Sequence, residues 1–275
     1  MFKLIEIWDN LAWMIYNLWA ILKYVFVDQF RFKKLLKKNK ELKNCHKGKR
    51  AFVVLNGPSI NKLDLSKITD EITICSNYFH YSELYDVVKP DYHCICDSDT
   101  FNDDRIQAVH DLMEKNPDVK YIYNKKAFGK LSDEEKKNTY FVYGMHFPTY
   151  YKIRDNLAGL SSSFNNVGAF CIMCAIYMGC KEIYVLGCDF APGAGFTHCY
   201  GITEAEKKVN KTIFYERNRE IICLSYWSYY LSHLGNFYLA KHAEKRGVKV
   251  YNVNKESYIR SFEFADYDEL FTENQ

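Results

Sequence analysis

The feature that most constrains the fold is a series of short apolar runs, each ending in polar turn residues. The first run, AFVVL at positions 51–55, is followed by Asn56-Gly57-Pro58-Ser59. A continuous apolar run of this length is typical of a strand buried on both faces of a parallel sheet. Similar runs predict further strands at positions 71–75, 91–96, 120–123, 181–186 and 248–252.

Helical patterns separate several of these runs. Helices are predicted over positions 105–115, 168–178 and 225–246. Strands that alternate with helices favour a mainly parallel sheet with helices on both faces. We therefore predict an α/β fold: a single Rossmann-like domain with a mainly parallel sheet, preceded by a long N-terminal amphipathic aromatic helix. The predicted division is residues 1–50 for the helix and a basic segment, and residues 51–275 for the domain.

The N-terminal segment from Phe2 to Phe32 contains no Pro or Gly and is rich in large apolar side chains. Three of the four tryptophans lie in it, and indole rings favour the boundary of a lipid bilayer. Polar residues recur at close to helical spacing and predict one narrow polar stripe. The residues of this stripe are Lys3, Glu6, Asn10, Asn17, Asp28 and Arg31.

Positive charge is concentrated beside this helix. Residues 1–50 hold twelve Lys/Arg and four Asp/Glu, a balance of +8, so a net charge of +3 leaves −5 for the remainder. An apolar helix followed by a polybasic segment predicts attachment to an anionic membrane surface. The longest near-apolar run, 11–27, is short and interrupted for a spanning helix. Packing on the domain, packing on a second copy in a homo-oligomer, and a true span remain alternatives. The acidic remainder argues against nucleic acid as a partner.

The ten cysteines lie mostly in apolar runs, where Cys behaves as a small hydrophobic residue. We therefore predict reduced thiols and a cytoplasmic domain. Cys171-x-x-Cys174 has the spacing of a redox or zinc pair, but no second pair accompanies it, so core packing is the favoured interpretation.

Polar residues at the predicted strand ends indicate a ligand site. In parallel sheets, ligands bind beyond the carboxyl ends of the strands, near the point where strand order reverses. Asn56–Ser59, Asn77, Asp97 and Asp189 occupy such ends, although turn chemistry alone accounts for part of this pattern. The tight turn at Asn56–Ser59 offers backbone N–H groups to a phosphate. The polar loop 161–168 precedes a helix and suits either an anion or simple capping.

Two further patterns carry chemical groups. Asp97-Ser98-Asp99 has alternate carboxylates that suit Mg²⁺, or a single carboxylate that bonds a sugar or base. The glycine-rich loop 187–201 presents His198 and Tyr200. A histidine there can take a proton from an attacking hydroxyl, and His233 on the late helix is the rival base.

Three segments together resemble the bacterial sialyltransferases of glycosyltransferase family 42. They also resemble the wider 6-hydroxymethylpterin pyrophosphokinase-like group, known as domain of unknown function 115. The segments are 52–60 (FVVLNGPSI), 168–190 with its GCDF ending, and 248–252 with the following Ser257. The resemblance covers residues 51 to about 260, and its middle segment is the most specific.

The resemblance implies a site for a cytidine monophosphate-linked sugar. Asn56, Asn77 and Asp97 would surround the donor, and residues 166–168 would lie along its phosphate and sugar. In the sialyltransferases a Tyr follows the Asp-Phe pair, where this chain has Ala191. The complete predicted donor set is Asn56, Gly57, Pro58, Ser59, Asn77, Asp97, Asn166, Val167, Gly168 and Asp189.

The sequence thus predicts a membrane-associated glycosyltransferase that uses a nucleotide-activated sugar, such as CMP-sialic acid or a related nonulosonate. It would act at the cytoplasmic face of the bacterial inner membrane, peripherally or monotopically, on a glycan or lipid-linked acceptor in surface-glycan or lipopolysaccharide synthesis. The predicted catalytic residues are His198, His233 and Tyr200, and no cofactor is required. The alternatives are a Mg-dependent pyrophosphokinase that uses Asp97 and Asp99, and an inactive membrane-tethered scaffold.

Overall fold

The computed structural model describes residues 2–145, 152–190, 198–200 and 219–272. Within them, nine strands form one sheet in the order β6-β5-β4-β3-β2-β1-β7-β8-β9, and every neighbouring pair is parallel. The strands are β1 Arg50–Val54, β2 Ile72–Ser76, β3 Tyr92–Ile95, β4 Lys120–Asn124, β5 Thr139–Gly144, β6 Leu160–Ser161, β7 Glu182–Leu186, β8 Lys249–Asn252 and β9 Glu263–Phe264.

The central strand β1 pairs on both sides, Ala51 with Ile72 of β2 and with Ile183 of β7. The chain runs outward from β1 to β6, then returns to β7 on the other side of β1. Strand order therefore reverses between β1 and β7. In open α/β sheets this reversal opens a crevice at the carboxyl ends of the two strands.

The described residues contain seven α-helices. They are α1 Phe2–Lys23, α2 Gln29–Lys38, α3 Leu84–Val88, α4 Ile106–Lys115, α5 Asp133–Lys137, α6 Val167–Tyr177 and α7 Arg219–Lys245. The π-helical turn Tyr24–Asp28 joins α1 to α2. The α/β fold, the parallel sheet and the long N-terminal helix are confirmed.

Helix α6 is the centre of one core layer. Residues 168–177 are all buried, because α6 lies between the sheet and α7. A helix that is apolar on all sides is stable only in such a position. Its Cys171 and Cys174 are free thiols, and burial raises the pKa of each, so they act as core side chains.

Three strands were not predicted. β6 and β9 have two residues each, which is too short for a periodic signal. β5 follows the five-residue α5, so no full helical pattern separated it from β4. The run at 248–252 is therefore not the last strand.

The N-terminal helical segment packs on the domain through a mixed side, where Ile21, Tyr24 and Phe32 contact a core cluster that includes Tyr143 and Leu160. Asn17 and Asp28 of the predicted polar stripe are only 1% and 4% exposed. The opposite side is apolar and exposed, and we call it the outward face. Its residues include Leu4, Ile7, Trp8, Leu11, Ile15, Leu18, Trp19, Leu22, Phe26 and Phe30. By length and composition, the helical segment Ile7–Leu42, which runs through α1 and α2, is able to cross a membrane.

The end of α2 and the segment that follows it are part of the domain core. Leu36 and Leu42 are buried, and the buried amide of Asn39 donates to the carbonyl oxygens of Phe141 (2.8 Å) and Leu157 (2.7 Å). These bonds fasten the helix to β5. The division at residue 50 stays a prediction about folding units.

We expect Asn39→Ala to lower the free energy of unfolding by roughly 2–4 kcal/mol, because two buried carbonyl groups lose their donor. Urea denaturation of the full chain measures this. Lys40→Ala, at an exposed neighbouring position, is the control and is expected to change stability by less than about 0.5 kcal/mol. If the two variants are equally stable, the hydrogen bonds of Asn39 do not contribute to the free energy of unfolding.

Candidate functional site

A cavity of about 1650 Å³ lies at the carboxyl edge of the sheet, where strand order reverses. The ends of four strands line it with Asn56, Asn77, Asp97 and Asp189. The start of α6 contributes Asn166, Val167 and Gly168. The structure therefore brings together all of the predicted donor-binding residues. Pockets for one small ligand usually measure about 300–1000 Å³, so this cavity has room for two substrates.

The loops after β1 and β7 are joined by a set of hydrogen bonds. The Gly57 amide donates to the Gly187 carbonyl (2.9 Å), and the Ser59 amide donates to one Asp189 carboxylate oxygen (2.8 Å). The other oxygen accepts from the Ser59 hydroxyl and from the Asn254 amide (2.8 Å). Because protein donors occupy both oxygens, Asp189 holds the loops in place.

Gly57 is required by this close approach. A Cβ atom at position 57 would lie 2.3 Å from the Gly187 carbonyl oxygen and 2.6 Å from Asp189. Gly187 itself has a φ of +66°, which favours glycine. Only hydrogen fits between the two loops, which explains the Asn-Gly sequence after β1.

Three amide side chains present unpartnered polar atoms at the cavity. The Oδ1 atoms of Asn56 and Asn77 and the Nδ2 atom of Asn166 are buried without a hydrogen-bond partner. Such an atom costs about 1–3 kcal/mol, and proteins rarely leave one unsatisfied. Three at one cavity indicate a polar ligand that offers both donors and an acceptor.

Asn77 is held in position by two histidines. Its φ is +47°, and its carbonyl oxygen accepts from His93 Nε2 (2.7 Å) and His80 Nδ1 (3.3 Å). The Tyr85 hydroxyl bonds the other His93 nitrogen at 3.2 Å. Burial lowers the pKa of His93 to about 3 and the pKa of His80 to about 4, so both rings are neutral near pH 7.

The start of α6 points at the cavity. Asn166 caps the helix by accepting from the Ala169 amide at 2.7 Å. A helix N-terminus favours an anion through its free N–H groups and its dipole. In the preceding polar loop, Ser161 and Ser162 are buried and hydrogen-bonded to the backbone, and Ser163 lines the cavity.

The two carboxylates of the Asp97-x-Asp99 pattern do not meet at the cavity. Asp97 lines it, and its side chain accepts from the Asp99 amide at 2.9 Å, whereas Asp99 lies outside the lining. Among the described residues, no cluster of three or more His, Cys, Asp or Glu side chains could hold a metal ion.

The candidate bases take different positions. His198 lines the cavity, and the Cys199 amide donates to the Asn56 carbonyl (2.8 Å), which folds the end of this loop back onto the β1 loop. The Tyr200 ring stacks on His198 at 5.2 Å and lies outside the lining. His233 also lies outside it, 5.0 Å from the Phe190 ring, and burial lowers the pKa of His233. Ala191 belongs to positions 191–197, outside the described residues.

Sequence reasoning missed one end of the cavity. Lys125 and Lys126 line it after β4, and Trp19 and Lys23 line it from α1. The lysines follow a predicted strand after one intervening residue, Asn124, so the rule that selected the other strand ends applies to them as well. The contribution of α1 had no sequence signal, because it depends on where the helix docks.

The parallel sheet and the polar cleft at its reversal point define a Rossmann-like α/β protein with a candidate small-molecule site. Within that class, the chain belongs to the family described as 6-hydroxymethylpterin diphosphokinase MptE-like, whose model matches residues 28–194. The family resemblance inferred from the sequence is confirmed. No curated protein sequence matches the chain.

Solved sialyltransferase structures share the fold. A variant of the sialyltransferase CST-II in complex with CMP is 16% identical, with a TM-score of 0.50 over 78% of this chain and 86% of the other. CstII from Campylobacter jejuni with the substrate analogue CMP-3FNeuAc is 15% identical, with a TM-score of 0.48 over 79% and 86%. At 16% identity, the likeness with a TM-score of 0.50 shows a common fold.

We expect acid to destabilise the protein through His80 and His93. Because their folded pKa values lie below the ordinary value of 6.5, the unfolded chain binds more protons as the pH falls from 6.5 towards 4. Their contribution is complete above about pH 6.5 and falls by up to roughly 1.4 kcal/mol per pH unit for each histidine.

Urea denaturation at several pH values tests this with His80→Asn, whose amide can still donate to the Asn77 carbonyl. The variant is expected to lose free energy of unfolding less steeply than the wild type between about pH 6 and pH 4.5. Identical slopes for the two proteins would exclude His80 as a titrating group.

Proposed function

We propose that the protein is a glycosyltransferase that uses a nucleotide-activated sugar, with a CMP-sugar as the favoured donor. The observation that carries this proposal is the set of unpartnered amide atoms of Asn56, Asn77 and Asn166 around one cavity. A base and a sugar supply the donors and acceptors that these atoms lack. The solved structure with a TM-score of 0.50 holds CMP, which supports the same choice.

The chemistry follows from the position of the groups. The acceptor oxygen attacks the anomeric carbon of the sugar, and the bond from that carbon to the phosphate oxygen breaks. His198 takes the proton of the attacking hydroxyl, since it lines the cavity and His233 does not. The departing phosphate carries the new negative charge, which the N–H groups at the start of α6 stabilise. No cofactor is required for these steps.

Calorimetric titration with CMP, UDP and ATP tests donor binding. We expect CMP to bind best, and Asn56→Ala to weaken binding about tenfold or more, because a buried hydrogen bond to the ligand is lost. The exposed Asn138→Ala is the matched control and should bind as the wild type does. His198→Ala should keep CMP binding and lower CMP release from CMP-sialic acid about 100-fold or more. If none of the three nucleotides binds, the proposal fails.

The family description favours a second candidate, a diphosphokinase that moves a diphosphate from ATP to a pterin alcohol. Asp97 would then bind Mg²⁺ at the cavity. Metal dependence separates the two candidates, because a diphosphokinase needs Mg²⁺ for ATP and the transfer from a CMP-sugar does not. ATP binding that requires Mg²⁺, without CMP binding, would select this second function.

We also propose that the enzyme works at an anionic membrane surface, on the cytoplasmic side of a bacterial inner membrane. The outward face of α1 is apolar, and Trp227 of α7, which is 45% exposed, packs against α1 with its ring 5.8 Å from that of the half-buried Trp13. The exposed lysines 33, 34 and 37 follow on α2. Apolar insertion and basic charge are the two signals of stable attachment.

Flotation with phosphatidylglycerol vesicles measures the attachment. We expect the full chain to float with them and to bind phosphatidylcholine vesicles more weakly. Trp8→Ser combined with Phe26→Ser should lower vesicle binding at least tenfold, since each change removes roughly 2 kcal/mol of apolar transfer free energy. Val87→Ser, at an exposed position on α3, is the control. Equal flotation of both variants would exclude the outward face as the attachment surface.

A further inference from the structure

One end of the cavity is basic. Lys23 of α1 and the consecutive Lys125 and Lys126 line it, and we call these three residues the lysine pocket. The Lys126 ammonium donates to Asn102 Oδ1 at 2.6 Å. No step of the donor chemistry uses these lysines.

The lysine pocket is separate from the joined loops after β1 and β7. Lys125 follows β4, and β4 lies three strands from β1 in the sheet. Neighbouring strands are about 4.8 Å apart, so the two strand ends are about 14 Å apart along the edge. A group held by the lysines is therefore distant from the β1 and β7 loops, and we assign it to the second substrate.

Lys125 is held in a half-buried position and forms no ion pair with a carboxylate among the residues that the structure describes. Its ammonium lies 3.2 Å from the centre of the Tyr143 ring and 5.8 Å from that of Phe32. The nearby Asp28 is buried, accepts from the Tyr143 hydroxyl and lies 3.9 Å from the Lys23 ammonium. Burial lowers the pKa of Lys125 to about 8, Asp28 raises it, and Lys23 and Arg31 lower it further. Lys125, Lys23 and Arg31 thus lie around one carboxylate, that of Asp28. The excess of positive charge favours the binding of an anion beside these residues.

This basic end of the cavity also adjoins the outward face of α1. Trp19 lines the cavity and is 73% exposed, and Tyr16 lines it as well. Trp19 therefore belongs both to the cavity wall and to the outward face of α1. A molecule with its head at the lysines can have its apolar tail along α1.

We propose that the lysine pocket binds the phosphate of a lipid-anchored acceptor, whose hydrocarbon chain leaves the cavity along the outward face of α1. Its role as an acceptor site rests on the proposed glycosyltransferase function. Phosphate matches the pocket because it accepts from several ammonium groups at once. The lipid chain explains why a membrane-facing helix forms a wall of the cavity.

Binding of farnesyl phosphate to the full chain, in a non-ionic polyoxyethylene detergent, tests the proposal by calorimetry. Farnesol has the chain without the phosphate, and inorganic phosphate has the phosphate without the chain. We expect farnesyl phosphate to bind at least tenfold more tightly than either. Lys125→Met keeps the packing on Tyr143 and should lower this affinity about tenfold, and the exposed Lys126→Gln should lower it severalfold. Lys130→Met, in the same loop but outside the cavity, is the control.

Three results would overturn the proposal: equal binding of farnesol, equal binding of inorganic phosphate, or unchanged affinity in Lys125→Met. CMP titration of the same proteins keeps the two hypotheses apart. Normal CMP binding in Lys125→Met, together with lost farnesyl phosphate binding, supports both the transferase function and the phosphate site. Absence of CMP binding, with lysine-dependent binding of farnesyl phosphate, removes the transferase function and leaves the phosphate site.

Discussion

The contact between the loops after β1 and β7 is the constraint on which the site depends. The Gly57–Gly187 hydrogen bond and the Asp189 carboxylate bring the two central strand ends together. A side chain at position 57 would separate them, because its Cβ would meet a carbonyl oxygen at 2.3 Å. With this contact in place, Asn56 lines the cavity. The Cys199 amide donates to the Asn56 carbonyl oxygen, and the adjacent His198 therefore lines the cavity as well. The proposed donor and base positions both follow.

Burial supplies the rigidity of the site. Asn77 keeps a left-handed backbone because the neutral His93 and His80 rings donate to its carbonyl oxygen from inside the fold. Such strain persists only where the surroundings determine the conformation. The apolar core layers on both faces of the sheet offset the free-energy cost of burying these polar groups. The unpartnered amides are thus held ready for a ligand.

The N-terminal helix takes part in both the proposed membrane attachment and the proposed acceptor site. Asn17 and Asp28 are buried against the domain and α2 packs on β5, while large apolar side chains of α1 are exposed, unlike those of an ordinary surface helix. The same helix lines the cavity with Trp19 and Lys23. A phosphate site at this wall would let the enzyme take an acceptor whose chain remains in the lipid.

The sequence by itself determined the α/β class and the central strands, because buried parallel strands need continuous apolar runs and their ends need turn residues. The family followed from the segments 52–60, 168–190 and 248–252. It also selected Asn56, Asn77 and Asn166 as ligand groups. Only the tertiary structure decided that Asp189 binds the β1 loop, that His80 and His93 support Asn77, and that Lys125 lies beside α1. These facts depend on contacts between distant segments, which a local pattern does not encode. The inward position of Asn17 on α1 is one of them, since helical spacing gives a stripe but not the surface against which it packs.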